Sequence, residues 1–168
     1  MTDERSDRTA PGRRILVIAN ETVAGAALYQ AIRFRTRSGS AEVLVVVPAL
    51  GARPRRPAPG ARAAAEERLA RSLKRLREAG VRVRGELGDA DPLRAIADAL
   101  GVFAADEILV ATHPEGRSSW LGGDVVARAR ARFAVPVLHV VVHATDGGGS
   151  GPGRRVAAPR AQPTLSAS

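Results

Sequence analysis

The sequence predicts an α/β domain built on an open parallel sheet with helices on both faces. Five short runs of the β type alternate along the chain with four segments of helical periodicity. Three of these runs are continuously apolar, which is typical of strands covered on both faces. Strict alternation of strands and helices predicts parallel pairing with right-handed crossovers. The chain has 168 residues, of which 45% are hydrophobic, so one domain with a substantial core is expected.

The five predicted strands differ in how they should be covered. The first, second and fourth are the continuously apolar runs, at 14–20, 42–47 and 107–111. The third, 81–87, alternates between apolar and charged residues, as expected of a strand at a wetter edge of the sheet. The fifth, 136–142, begins with a proline, which the start of a strand tolerates.

Apolar residues at spacings of three and four mark the four helices. The positions expected to be buried are Leu28 and Ile32 in the first helix, Ala65, Leu69, Leu73 and Leu76 in the second, Leu93, Ile96, Ala97 and Leu100 in the third, and Val125, Val126, Ala129 and Phe133 in the fourth. Gly80 follows the second helix as a stop signal. Asp91 and Pro92 predict a cap and a first helical position for the third.

Both ends of the chain are poor in large apolar residues. Residues 1–12 and 144–168 bury too little surface to offset their chain entropy, so we expect a disordered head, a folded domain at 13–143 and a disordered tail. The head lacks the apolar core of a secretory signal, and no apolar run approaches the roughly 18 residues of a membrane span. These features predict a cytoplasmic protein with no membrane partner. The absence of cysteine excludes disulfides and thiolate chemistry.

The formal net charge of +9 raises the question of a nucleic-acid partner. Lys74 is the single lysine among 26 basic residues, an arginine bias typical of a GC-rich genome, which weakens any inference from charge to partner. Residues 51–80 carry nine basic side chains against three acidic ones. We expect this excess to be a solvated helix face, so a nucleic-acid partner is not favoured.

Ligands of open parallel sheets bind beyond the carboxyl ends of the strands, where the strand order reverses. If the first and fourth strands are neighbours at that point, the polar loops that follow them face each other. The facing residues are then Asn20, Glu21 and Thr22 from the first loop and Thr112, His113, Glu115, Gly116, Arg117, Ser118 and Ser119 from the second. Arg117 and the two serine hydroxyls could hold an anion ahead of a helix, or the loop could simply cap that helix.

The other polar residues of these loops do not form a pattern that indicates a catalytic site. His113 stands at a strand end, but no carboxylate or second histidine lies at metal-ligand spacing, so a hydrogen-bonding role is favoured. Glu21 and Glu115 form a candidate carboxylate pair, although surface positions are the default. Ser118 and Ser119 lack the Gly-x-Ser-x-Gly elbow of hydrolases. We therefore expect no catalytic residue and no metal.

Four segments in the domain resemble, in order along the chain, the universal stress protein family. They are Arg-Ile-Leu-Val-Ile-Ala-Asn-Glu-Thr at 14–22, Gly-Asp-Ala-Asp-Pro-Leu-Arg-Ala-Ile at 88–96, Ala-Asp-Glu-Ile-Leu-Val-Ala-Thr-His at 105–113 and Val-Pro-Val-Leu-His-Val-Val-Val at 135–142. The resemblance implies a five-stranded sheet of order 3-2-1-4-5, a homodimer and, in one branch of the family, ATP bound without a catalytic cycle. We place the dimer contact on the fifth strand, whose apolar edge should be paired or covered.

The ATP-binding branch carries the motif Gly-x2-Gly-x9-Gly-(Ser/Thr), which this chain matches only in part. The first two glycines fall on Ala111 and Pro114, and the spacer is one residue shorter. Gly123 is retained, but Asp124 follows it in place of the hydroxyl residue. Pro114 removes an amide donor that a phosphate would need, and we expect Asp124 to cap the following helix.

Other positions are carried over from the resemblance as candidate nucleotide contacts. Asn20 stands where the family has an aspartate, and Pro48 matches a position that flanks the nucleotide through its backbone. The candidate contacts are Asn20, Thr22, Pro48, Thr112, His113, Gly116, Arg117, Ser118, Ser119 and Gly123.

These observations favour a non-catalytic, stress-associated regulatory protein with an altered or lost nucleotide site. The cofactor is then none, or ATP or AMP, with a weak ATPase activity only if nucleotide binds. One alternative is a nucleotide-binding protein in which Arg117, Ser118 and Ser119 form a replacement phosphate clamp. The other is an arginine-rich adaptor for nucleic acid or protein that acts through residues 53–77.

Overall fold

The computed structural model describes residues 12–37, 39–48, 60–114 and 123–143. The strands are β1 (Arg13–Ile18), β2 (Ala41–Pro48), β3 (Arg82–Gly88), β4 (Glu107–Thr112) and β5 (Val137–Val141). The helices are α1 (Ala26–Arg35), α2 (Ala61–Glu78), α3 (Pro92–Val102) and α4 (Gly123–Arg132), with a 3-10 helix, η1 (Glu21–Ala24), after β1. The predicted head and tail lie outside the described residues apart from Gly12. No helix in the described ranges is long and apolar enough to cross a membrane.

The five strands form one sheet of order β3-β2-β1-β4-β5, and every neighbouring pair is parallel. Both the predicted fold class and the implied strand order are confirmed. Leu16 of β1 lies between Leu44 of β2 and Ile108 of β4. The alternating strand β3 is at one edge of the sheet, as its pattern predicted, and β5 is at the other.

Strand alternation divides the core into two layers, one on each face of the sheet. Ile15 and Val17 of β1 pack with the buried residues of α1 and α2. Leu16 and Ile18 pack with those of α3 and α4. All four side chains are 0% exposed, and burial of an aliphatic side chain of this size stabilises the fold by about 1.5–3 kcal/mol. The continuous apolar run in β1 therefore serves both layers.

The predicted buried stripe of α3 needs correction. Leu93 and Ile96 are buried, but Ala97 and Leu100 are only half-buried, and Ala95 and Ala99 are buried with the first pair. The physical reason is close packing on the sheet: a Cβ placed on Gly88 of β3 would lie 2.9 Å from the Cβ of Ala95. Alanine is small enough for this approach, so the helix turns an alanine rather than Leu100 toward the strands.

The described part of the basic segment 51–80 is a solvated helix face. Three ion pairs at i,i+4 spacing lie along α2, between Arg62 and Glu66, Arg71 and Glu67, and Lys74 and Glu78. All six side chains are more than half exposed. Each such pair stabilises a helix by about 0.3–0.5 kcal/mol, so these charges are explained by the helix itself.

Candidate functional site

The adjacency of β1 and β4 brings the two predicted loops together at the carboxyl edge of the sheet. Ile18, the last residue of β1, lies opposite Val110 of β4. Asn20 and η1 therefore begin beside the end of β4, where Thr112 and His113 stand. Glu115, Gly116, Arg117, Ser118 and Ser119 lie outside the described residues, so their part in the site stays a prediction.

Thr22 connects the first loop to β4 through a side-chain hydrogen bond. Its side chain is 2% exposed, and its Oγ1 donates a hydrogen bond to the carbonyl oxygen of Ala111 at 3.0 Å. The amide of Val23 donates to the carbonyl of Asn20 at 3.1 Å, which starts the 3-10 turn. Asn20 is also buried, but its side chain does not cap η1. The hydroxyl of Thr22 is thus used inside the fold.

Three further hydrogen bonds join the end of β4 to β5 and to Val142, the residue directly after it. Thr112 Oγ1 lies 2.7 Å from His139 Nε2, and the Thr112 carbonyl accepts from the amide of Val142 at 2.8 Å. His113 Nδ1 lies 3.1 Å from the Val142 carbonyl oxygen. Because a carbonyl only accepts, His113 must carry its proton on Nδ1 in this contact. The hydrogen-bonding role predicted for His113 is the role that it has here.

The other ring nitrogen of His113 faces the first loop. His113 Nε2 lies 3.8 Å from the carboxylate of Glu21, whose side chain is 66% exposed. The imidazole therefore stands between the residues that follow β1 and those that follow β5. This arrangement brings an exposed negative charge to the mouth of the predicted site.

Pro48 and Gly123, the remaining described candidates, both lie at the ends of elements. Pro48 is the buried last residue of β2, opposite Gly88 of β3, and its ring nitrogen has no hydrogen to donate. Gly123 is the first residue of α4. Asp124 is therefore inside the first turn, and the prediction that it caps the helix is wrong. Its exposed carboxylate lies 3.7 Å from Nη1 of Arg128 one turn on.

These contacts test whether the described residues suit a nucleotide phosphate. Phosphate is held by free N–H and O–H donors and by cations. The hydroxyls of Thr22 and Thr112 and the Nδ1 of His113 are already engaged. Pro114 has no amide hydrogen, and Glu21 adds a negative charge. The described part of the site does not fit a triphosphate.

At the opposite edge of the sheet, sequence reasoning missed a buried ion cluster. Glu107, the first residue of β4, is 2% exposed. Arg35 Nε donates to its Oε2 at 3.1 Å, and Arg13 Nε lies 3.0 Å from its Oε1 without hydrogen-bond geometry. A glutamate at the start of an otherwise apolar strand was the sequence signal that could have indicated this cluster. Its partners could not be read from the sequence, because Arg13 and Arg35 lie far from Glu107 along the chain.

No protein-family model matches the chain, and no curated protein resembles it closely enough in sequence to count as a relative. Solved structures do resemble it. A universal stress protein from Archaeoglobus fulgidus superposes with a TM-score of 0.56 at 19% identity, over 76% of this chain and 93% of that one. A universal stress protein family member from Burkholderia pseudomallei gives 0.55 at 20% identity, over 77% and 98%. A hypothetical protein whose biochemical function was assigned from its structure gives 0.58 at 18% identity, over 77% and 95%. At these identities the likeness concerns the fold, and the chain has the fold of the universal stress proteins.

Proposed function

We propose that this chain is a non-catalytic, stress-associated regulatory protein of the universal stress protein type with an altered or lost nucleotide site. The observation that carries the proposal is the set of hydrogen bonds at the carboxyl edge. The side chains of Thr22, Thr112 and His113 already form hydrogen bonds within the chain. Their partners are Ala111, His139 and Val142. A ligand would have to break these bonds before it could use the groups, and buried groups left without partners cost about 1–3 kcal/mol each.

Charge supports the same conclusion. Glu21 is 66% exposed beside His113, and Asp124 is 77% exposed in the first turn of α4. A triphosphate brought to this edge would meet both carboxylates. The positive end of α4 would still attract an anion, but Asp124 already occupies the favourable position for negative charge at that helix start.

We further propose a homodimer through β5. This strand is an edge of the sheet, and Val141 is 39% exposed, while Leu138 and Val140 are half-buried. An edge strand with apolar side chains is normally paired or covered, because it offers a template for another chain. A second copy of the chain would provide the cover.

Calorimetric titration with ATP tests the nucleotide proposal through two substitutions. We expect weak or undetectable binding by the unmodified chain. Asp124→Ser should tighten it by up to about fivefold, since exposed charge interactions are worth about 0.2–1 kcal/mol, and more at low salt than at high. The same substitution should change stability by about 1 kcal/mol or less, because it removes an exposed i,i+4 pair with Arg128 and one exposed negative charge in the first turn of α4.

Arg117→Ala is the opposing arm of the experiment. Tight binding of ATP by the unmodified chain, abolished by Arg117→Ala, would contradict our proposal. It would favour the alternative in which Arg117, Ser118 and Ser119 form a replacement phosphate clamp.

A further inference from the structure

A cavity lies at the amino edge of the sheet, opposite the site described above. It has a volume of about 810 Å³ and is open to solvent at the first residues of β1, β2 and β3. Its charged lining consists of four arginines and one glutamate, namely Arg14, Arg77, Arg82, Arg84 and Glu42. These side chains leave an excess of three positive charges. We call this cavity the amino-edge site.

Strand register places three of these side chains in one row. Glu42 of β2 lies between Arg14 of β1 and Arg82 of β3. Because side chains alternate along a strand, all three point to the face that carries α3 and α4, as do Leu16 and Leu44 further along. Arg84 lies two residues beyond Arg82 and so points to that same face.

Two of the arginines are held in place by the fold. The guanidinium of Arg84 lies 5.4 Å from the ring centre of Phe103 and 3.8 Å from the carboxylate of Glu42. The Nε of Arg77 donates to the carbonyl of Val83 at 3.2 Å, and its terminal nitrogens make no hydrogen bond with another described residue. Side chains fixed in this way lose little further conformational freedom when a ligand binds.

The other two arginines carry uncompensated charge. The guanidinium groups of Arg14 and Arg82 make no hydrogen bond or ion pair with any other residue that the structure describes. Asp106 also lies nearby, where one of its oxygens accepts from the backbone amide of Arg14 at 2.7 Å, and it adds a second negative charge. Glu42 and Asp106 together balance two of the four guanidinium groups, so the cavity still favours an anion.

We propose that the amino-edge site binds a small anion that carries several phosphate groups. A guanidinium presents paired N–H donors that match two phosphate oxygens, and several such forks around one cavity suit a ligand with several phosphates. The volume falls in the range of about 300–1,000 Å³ that is typical of small-molecule sites. A long nucleic acid is less well suited, because three of the six cations along α2, namely Arg62, Arg71 and Lys74, are paired with glutamates of the same helix. The site shares no residue with the nucleotide edge, so this inference does not depend on the proposed function.

The test is calorimetric titration of the full chain with inorganic tripolyphosphate at low salt. Arg14→Gln and Arg82→Gln should each weaken binding by about tenfold or more, because each removes a charge-assisted contact. Arg71→Gln is the matched control, since it removes the same charge from an exposed position on α2. It should weaken binding by less than about twofold. Equal weakening by all three variants would show general attraction to a basic protein and would overturn the proposal.

Two further measurements complete the test. Glu42→Gln should tighten tripolyphosphate binding severalfold, because it removes the one carboxylate in the cavity lining. Thermal melting of every variant should match the unmodified chain within a few degrees, since the three substituted side chains of the site are exposed. Absence of tripolyphosphate binding by the folded unmodified chain at millimolar concentration would refute the proposal. Tighter binding of duplex DNA than of tripolyphosphate, with the same dependence on Arg82, would also refute it.

Discussion

Gly25 packs against Val142, the residue directly after β5, and replacement of Gly25 by alanine tests this packing. It lies between η1 and α1, where its amide donates to the carbonyl of Thr22 at 3.0 Å. A Cβ on Gly25 would lie closer than 3.0 Å to Cγ1 of Val142, a separation that real Cβ atoms essentially never show. Its φ of −70° is ordinary for any residue, so the effect of Gly25→Ala should be steric.

The expected magnitude follows from the crowding. Val142 is 2% exposed and cannot move into solvent, so overpacking should cost about 1–3 kcal/mol. Val142→Ala alone should cost about 2 kcal/mol through lost burial and a cavity. In the double variant the new methyl group occupies part of the space that the valine leaves. The double variant should therefore lose at least about 1 kcal/mol less than the sum of the two single losses.

Urea unfolding of the four proteins measures these free energies, and thermal melting checks them. A loss of 2 kcal/mol should lower the Tm by about 4–8 °C in a domain of this size. If the two losses simply add, or if Gly25→Ala is neutral, the close approach of Gly25 to Val142 is not present in solution. The link between the first loop and β5 would then be wrong.

Further predictions concern the ion cluster, the β5 edge and the ends of the chain. Glu107→Gln should destabilise the fold by about 3 kcal/mol in urea unfolding, because it leaves the guanidinium of Arg35 without its buried carboxylate. An unchanged free energy of unfolding would mean that this ion pair does not stabilise the fold. Val140→Asp should shift the mass from dimer to monomer or insoluble protein in light scattering, and a monomeric unmodified chain at tens of micromolar would argue against the β5 contact. A chain shortened to 13–143 should melt within a few degrees of the full chain, whereas a collapse of the transition would mean that an end is docked.

The order of strands and helices could be predicted from the sequence because a strand that is buried on both faces has a continuously apolar sequence. The continuous apolar run of β1 and the alternation in β3 both correspond to their places in the sheet. The stripe of α3 could not be placed to the residue, because the choice of Ala95 over Leu100 depends on the missing Cβ of Gly88 on a distant strand.

The candidate site was predictable in position but not in bonding. The sequence indicates that Thr22 and His113 face each other across the switch point, since strand ends and polar loops are readable. It does not indicate that Thr22 bonds Ala111 or that His113 bonds Val142, because these partners lie 89 and 29 residues away along the chain. The amino-edge row was missed for a related reason: Arg14, Glu42 and Arg82 become neighbours only through strand register.

Native mass spectrometry of the protein as purified, without added ligand, tests whether the carboxyl edge holds a nucleotide. We expect the mass of the polypeptide or its dimer, with no stoichiometric nucleotide. Arg82→Gln should be measured in parallel, because a phosphate ligand at the amino edge would be lost from that variant. A stoichiometric adenine nucleotide that remains bound to Arg82→Gln would show that the carboxyl edge binds nucleotide and that the proposed function is wrong.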